Sequence, residues 1–437
     1  MLTLQSRIIA VLLVSACSTT FGLAGSDRET TAREDESTGA ADAETGTGVG
    51  GSSSEGPGPG ATTAPPDRED TGDVPVEFTR AALVETSSEC AVMHYEEFLG
   101  RARALRELVA ALVAAPSSDA RTAARDAWRE AMHAWQRAEL FSFGPAASST
   151  ELGGQDLRDE IYAWPLGGRC RIDEQTVKQT YTEDTFPSTL ITGRTMDALD
   201  YLLFYEGLDN GCGSTSAINA LGTWDELDAE ELRTRKDAYA LAVIDDVVVR
   251  TEALTTAWSR GGGDFMGDIT SAGERGSTYP DVQAAANAIS HGLFYLEGEV
   301  KDLKIGRAIG LTMCETATCP AAIESQYAMA STEHLVDNLA AFRLAFTGCG
   351  LDDGAGFDDW LTEAGADDVR ERMLVALTAT ETLVAGFDAP LQEVLATEPE
   401  RLAELHATLK GVTDLLKTEF VSVLNLELPM SAEGDND

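Results

Sequence analysis

The 437-residue chain carries 74 Asp and Glu against 32 Lys and Arg, a formal net charge of −42. So acidic a chain repels polyphosphate backbones and anionic headgroups, which excludes nucleic-acid binding and polybasic membrane docking and favours cations or basic ligands. Hydrophobic residues make up 43% of it, enough for a sizeable core, while its 40 glycines and its acids are unevenly spread.

At the N-terminus, Arg7 precedes the apolar run Ile8-Ile9-Ala10-Val11-Leu12-Leu13-Val14, too short for a mature spanning helix but suited to a secretory signal. The run ends in Val14-Ser15-Ala16-Cys17, which resembles a bacterial lipobox. Residues 1–16 are therefore expected to be a lipoprotein signal peptide and Cys17 the lipidated residue, giving a membrane partner through a lipid anchor. Ser18 and Thr19 follow in place of Asp, a pattern that resembles export to the outer membrane, on its periplasmic or its surface side. Residues 17–75 hold Gly, Ser, Thr, Ala, Pro, Asp and Glu with almost no large apolar side chains, and are expected to form a disordered acidic linker.

Six cysteines remain after Cys17, namely Cys90, Cys170, Cys212, Cys314, Cys319 and Cys349, an even number that predicts three disulfides in an exported chain. Cys314 and Cys319 flank a loop short enough to close locally, and Cys170 with Cys212 is a second candidate pair; spacing alone leaves the pairing open. No CxxC or CxxH pair supports a structural zinc site.

From about residue 76 the pattern is helical. Trp128, Ala131, Met132, Trp135 and Ala138 fall on one helical face with Arg and Glu opposite, and Leu402, Leu405, Leu409, Val412, Leu415 and Leu416 repeat the pattern near the end. Residues 226–259, 281–303, 320–346 and 366–385 also read as helices, with Gly- and Pro-rich breaks between helical stretches. The fold expected is all-α, two packed helical bundles over residues 76–215 and 216–437.

Three local signals carry chemistry. Glu139 sits at the end of the tryptophan face in Trp135-Gln136-Arg137-Ala138-Glu139-Leu140-Phe141-Ser142-Phe143-Gly144-Pro145, where burial demands a cation or an Arg such as Arg137 or Arg194. Asp197 and Asp200 stand at i and i+3 in Thr195-Met196-Asp197-Ala198-Leu199-Asp200-Tyr201, so both carboxylates project to one side and can share a cation. Glu324 opens Glu324-Ser325-Gln326-Tyr327, ahead of the acid-rich stretch containing His334.

Together with Trp164-Pro165 and Lys304-Ile305-Gly306-Arg307-Ala308-Ile309-Gly310, these segments resemble the imelysin family of bacterial envelope proteins, from about residue 80 to the end. The resemblance implies a two-bundle helical fold, export and an association with iron uptake. The family's Gly-x-His-x-x-Glu signature, once taken as a metallopeptidase motif, is matched by Asp197 in place of the His and Asp200 in place of the Glu. Losing the imidazole removes the ligand that suits zinc, and two carboxylates favour a harder divalent or ferric cation. The metal set expected is Glu139, Asp197, Asp200 and Glu324, with His334 standing where the family often has an acid.

Each acid also has a structural reading: Asp197 and Asp200 as first-turn acids of a helix capped by Thr195, Glu324 as a helix-start acid after Pro320, and Glu139 as an ion-pair partner. His94, His133, His291 and His406 read as surface or core-edge residues. The leading expectation is a non-catalytic envelope lipoprotein that binds a cation or cation-bearing ligand, linked to iron uptake. The alternatives are a metallopeptidase of the imelysin type and a recognition scaffold with a decayed site. No catalytic residue is assigned, and any protein partner is left unnamed.

Overall fold

The computed structural model describes residues 78–351, 354–430 and 432. The expected signal peptide, the expected lipidation site Cys17 and the expected acidic linker lie outside the described residues. The described chain belongs to one compact unit, Asp73–Asp437, and contains helices and turns but no strand.

Helix α1 (Arg80–Ala114) and α2 (Ser118–Ala138) form an antiparallel pair across the break at Ala115–Ser117. Their starts are set by hydroxyl caps: Thr79 Oγ1 accepts from Ala82 N and Ser117 Oγ from Ala120 N, each at 3.1 Å. The predicted stripe on α2 is core throughout, Trp128, Ala131, Met132, Trp135 and Ala138 all being 0% exposed. It packs on α1, on the short α4 (Met196–Phe204, following α3, Arg169–Lys178), and on α7 (Ser331–Phe346). Helix α5 (Ala229–Trp258) lies C-terminal to the expected 215/216 boundary and packs on α1 and α4. Farther on, α6 (Val282–Leu293) packs on α1 and α7, and α8 (Asp367–Ala385) on α7 and α9 (Pro399–Leu415). The leucine stripe of α9 is buried at Leu402, Leu405, Leu409 and Val412.

Two expected helices change form. Residues 281–303 divide into α6 and a π-helical stretch, Leu296–Gly306, an uncommon geometry that is frequent at functional sites. The helix expected over 320–346 begins only at Ser331. Ser325 and Met329 adopt left-handed φ angles of 48° and 58°, which stop a right-handed helix. Two backbone N–H groups in that segment bond instead to the Asp200 carboxylate: Tyr327 N at 3.2 Å and Ala328 N at 2.7 Å. Glu324 is thus a loop residue rather than a helix-start acid.

All six body cysteines are paired, as Cys90–Cys349, Cys170–Cys212 and Cys314–Cys319. The first joins α1 to the turn after α7, and the other two close local loops. Among the described residues no helix is long and apolar enough to cross a membrane.

Candidate functional site

The i, i+3 spacing on α4 does bring Asp197 and Asp200 to one cavity, of 350 Å³, closed by the Trp164–Gly168 turn on one side and by Ala321–Tyr327 on another. Asp197 is half-buried and accepts the Thr195 hydroxyl. Thr195 holds the N-cap position of α4 without a cap bond from its side chain, its Oγ1 accepting instead from Ala163 N at 3.3 Å. At Gly167 the turn runs so close that a Cβ there would lie 1.9 Å from Asp197 Oδ2, so a larger residue would push the Asp197 carboxylate out of its present position. Asp200 is 5% exposed, and both its oxygens hold the 323–330 loop.

Burial pushes the Asp197 carboxyl up to about 6, against hydrogen bonds from Thr195 and nearby backbone N–H groups. Burial pushes Asp200 up to about 7, opposed by the Tyr327 and Ala328 N–H groups and reinforced by the charges of Asp197 and Glu324. The cavity also holds two guanidinium groups. Arg169 is engaged with Asp209 at 2.8 Å and lies over the Tyr205 ring at 4.1 Å, whereas Arg307 Nε has no hydrogen-bond partner among the described residues.

The other two candidate acids belong to a separate, fully buried network centred on Lys304 of the π-helical stretch. Glu139 and Glu324 are each 1% exposed. Lys304 Nζ donates to Gln136 Oε1 at 2.5 Å and Asn338 Oδ1 at 2.9 Å, and lies 3.1 Å from Glu324 Oε2 and 3.8 Å from Glu139 Oε2. Glu139 accepts from Arg158 Nη2 at 3.0 Å and Tyr295 Oη at 2.6 Å. Its arginine is thus Arg158, while Arg137 pairs with Asp337 at 3.5 Å and Arg194 with Asp246 at 2.8 Å. Glu324 accepts from Tyr162 Oη at 2.6 Å and Gln136 Nε2 at 3.0 Å, with His334 Nδ1 3.1 Å from Oε2. Burial alone raises the Glu324 carboxyl, but Lys304, His334 and the Tyr162 hydroxyl outweigh it and hold it well below the usual carboxylate range.

The four predicted acids are therefore near one another but do not converge on one point. Among the described residues, one set of three ligand-type side chains has its ligand atoms within 4.8 Å of one another, namely Cys170, Glu174 and Cys212, and its two sulfurs are already joined as a disulfide. Of the histidines, His94 and His406 are buried, burial pushing His94 down to about 4. His133 Nδ1 lies 2.5 Å from Asp337, a hydrogen bond that raises its pKa, and His291 Nδ1 is 3.8 Å from Glu151.

The family model described as Imelysin matches residues 91–418. The chain belongs to the imelysin family. It is 28% identical over 195 residues to the iron-regulated protein A of Synechococcus elongatus, a match spanning 44% of this chain and 44% of that protein, less than half the length of the curated relative. In fold it is similar to a solved structure from Parabacteroides distasonis assigned as an iron-regulated protein A precursor, with TM-score 0.60 and 20% identity over 80% of this chain and 97% of that one. An imelysin-like protein from Psychrobacter arcticum gives TM-score 0.57 and 18% identity, covering 82% and 99%.

In this imelysin Asp197, expected at the position of the signature His, is half-buried, and Asp200, expected at the position of the Glu, is a carboxylate that ties down a loop. Replacing Asp200 with Ala leaves two backbone N–H groups without acceptors and is expected to cost about 2–4 kcal/mol. Asp200→Asn keeps one acceptor and is expected to cost less than half as much. Denaturant unfolding measures both, and faster amide exchange at 323–330 in Asp200→Ala localises the effect.

Sequence reasoning missed Lys304, Arg307, Tyr162 and Asn338 as members of these two sites. The signal for Lys304 lay in its own segment: a cation between Val300 and Ile305, at a depth where an ammonium demands carboxylates. Tyr162 and Asn338 gave no comparable signal, because only the tertiary fold brings them to Glu324 and Lys304.

Proposed function

We propose that this imelysin is a non-catalytic envelope protein, held to the outer membrane by lipid on Cys17, that binds a cation-bearing ligand in the Asp197–Asp200 cavity as part of iron uptake. The observation that carries the reading is the placement of both signature-position acids in one cavity together with Arg307, whose Nε has no hydrogen-bond partner among the described residues. Both Asp200 oxygens already accept backbone hydrogen bonds, and the described residues offer no third ligand-type group close to the pair. That set suits a cation that brings its own ligands better than a bare ion: Asp197 faces the positive part and Arg307 the anionic part of a chelate. The cation class is divalent or ferric, since the acids offer only oxygen. The names of the relatives, iron-regulated protein A, support the iron link.

The metallopeptidase alternative gains nothing from the cavity lining, which contains no histidine. Equilibrium dialysis of the full chain against ferric citrate, Mn²⁺, Ca²⁺ and Zn²⁺ tests the proposal. Ferric citrate is expected to be retained in stoichiometric amount by the native chain and to bind about tenfold more weakly in both Asp197→Asn and Arg307→Ala. Equal retention by both variants, or none by the native chain, overturns it.

A further inference from the structure

A second and larger cavity, of 480 Å³, opens beside the C-terminal end of α4, between the first turns of α2 and α5. Its charge runs against that of the chain. In a protein of net charge −42 its lining has four cations, Arg121, Arg125, Arg233 and Lys236, against two carboxylates, Glu206 and Asp237. The helical periodicity produces this: Arg121 and Arg125 follow each other by one turn on α2, and Arg233 and Lys236 share a face of α5.

Two of the cations are matched. Arg121 Nη2 pairs with Asp237 Oδ2 at 2.7 Å, and Arg125 Nη2 with Glu206 Oε1 at 2.8 Å while its Nε donates to Leu203 O at 2.8 Å. Arg233 is exposed, and Lys236 is 5% exposed; no ion pair joins either to a carboxylate among the described residues. The Lys236 ammonium has three protons to donate, and its one hydrogen bond among the described residues is to Tyr201 Oη at 3.0 Å. That hydroxyl is itself committed to Asp173 at 2.7 Å. Burial pushes Lys236 down to about 8, opposed by the charge of the nearby Asp173 carboxylate, which makes no direct ion pair with it among the described residues. The first turns of α2 and α5 add the positive ends of their dipoles, and Leu202, Leu203, Leu208 and Leu232 give the wall an apolar part.

We infer that this cavity binds a small organic dianion, two carboxylates on an apolar spacer, with one carboxylate on Lys236 and the other on Arg233. The excess of two cations over carboxylates in the lining sets the charge of the occupant, and the leucines of the wall distinguish it from a bare inorganic anion. The volume is within the range of small-molecule sites, about 300–1,000 Å³. This site is independent of the Asp197–Asp200 cavity, which has a different set of charged residues.

Calorimetric titration of the full chain with isophthalate at low ionic strength tests the inference, with benzoate and inorganic phosphate as comparisons. Isophthalate is expected to bind saturably at one site, about tenfold more tightly than either comparison. Lys236→Met is expected to weaken it about tenfold or more, and the exposed Arg233→Ala, which leaves the fold intact, about fivefold. Arg307→Ala, in the other cavity, is expected to leave it unchanged. Absence of saturable isophthalate binding, phosphate binding as tight as isophthalate, or a loss in Arg307→Ala with none in Arg233→Ala would each overturn it.

Discussion

Replacing Lys304 with Met is expected to destabilise the chain by about 3–5 kcal/mol, because it removes the ammonium between two carboxylates that stay buried. Glu324 loses a neighbour at 3.1 Å, Glu139 loses one at 3.8 Å, and Gln136 and Asn338 each lose a donor. The loss depends on pH in a stated direction. With the ammonium gone, the largest of the influences that hold the Glu324 carboxyl down is removed, and its folded-state pKa rises from its depressed position toward the unfolded value of 4.5. A folded-state pKa depressed below the unfolded one gives stability that is present above the unfolded value and lost as pH falls, so the variant, which has lost much of that depression, shows its full deficit at pH 8 and a narrower one toward pH 4. Urea unfolding of both proteins across that range measures it. A pH-independent deficit would show that lost packing, rather than an uncompensated charge, is responsible. Replacing Lys304 and Glu324 together, as Met and Gln, is expected to recover about half of the loss.

Removing the Cys90–Cys349 bridge as a double Ala variant is expected to cost about 5 kcal/mol, and removing Cys314–Cys319 about 2 kcal/mol, in the chain-entropy account. The difference follows from sequence separations of 259 and 5 residues. The long bridge links the start of the body to the turn after α7, so cutting it releases most of the unfolded chain from one loop, whereas the short one constrains a few residues. Thermal unfolding of the two variants checks the order. Equal losses would mean that native-state packing of the sulfurs, not loop closure, sets the contribution.

Helices whose apolar residues recur every three or four positions were legible in the sequence: the Trp128–Ala138 and Leu402–Val412 stripes are core as read, and 226–259 and 366–385 match α5 and α8 within a few residues. The pairing of Asp197 and Asp200 on one side of a helix was legible for the same reason, being a local consequence of 3.6 residues per turn. What was not legible depends on contacts distant in the chain. Nothing near Glu324 shows that Asp200, more than a hundred residues earlier, takes the backbone N–H groups that a helix over 320–330 would have used. Nor does Glu139 show that Arg158 rather than Arg137 is its partner, since both are within reach in sequence and the fold sends Arg137 to Asp337. The left-handed φ at Ser325 and Met329 is likewise invisible, because neither residue type announces that conformation.

The most direct test is the affinity of the full chain for ferric citrate at pH 5, 6 and 8, set beside that of Asp197→Asn. With Asp197 at about 6 and Asp200 at about 7, both acids are mostly protonated at pH 5 and mostly ionised at pH 8. Native affinity is therefore expected to rise by about tenfold or more over that interval, and the rise to shrink in Asp197→Asn. Affinity that is flat across the interval, or that rises equally in the variant, would contradict a ligand seated on these two acids.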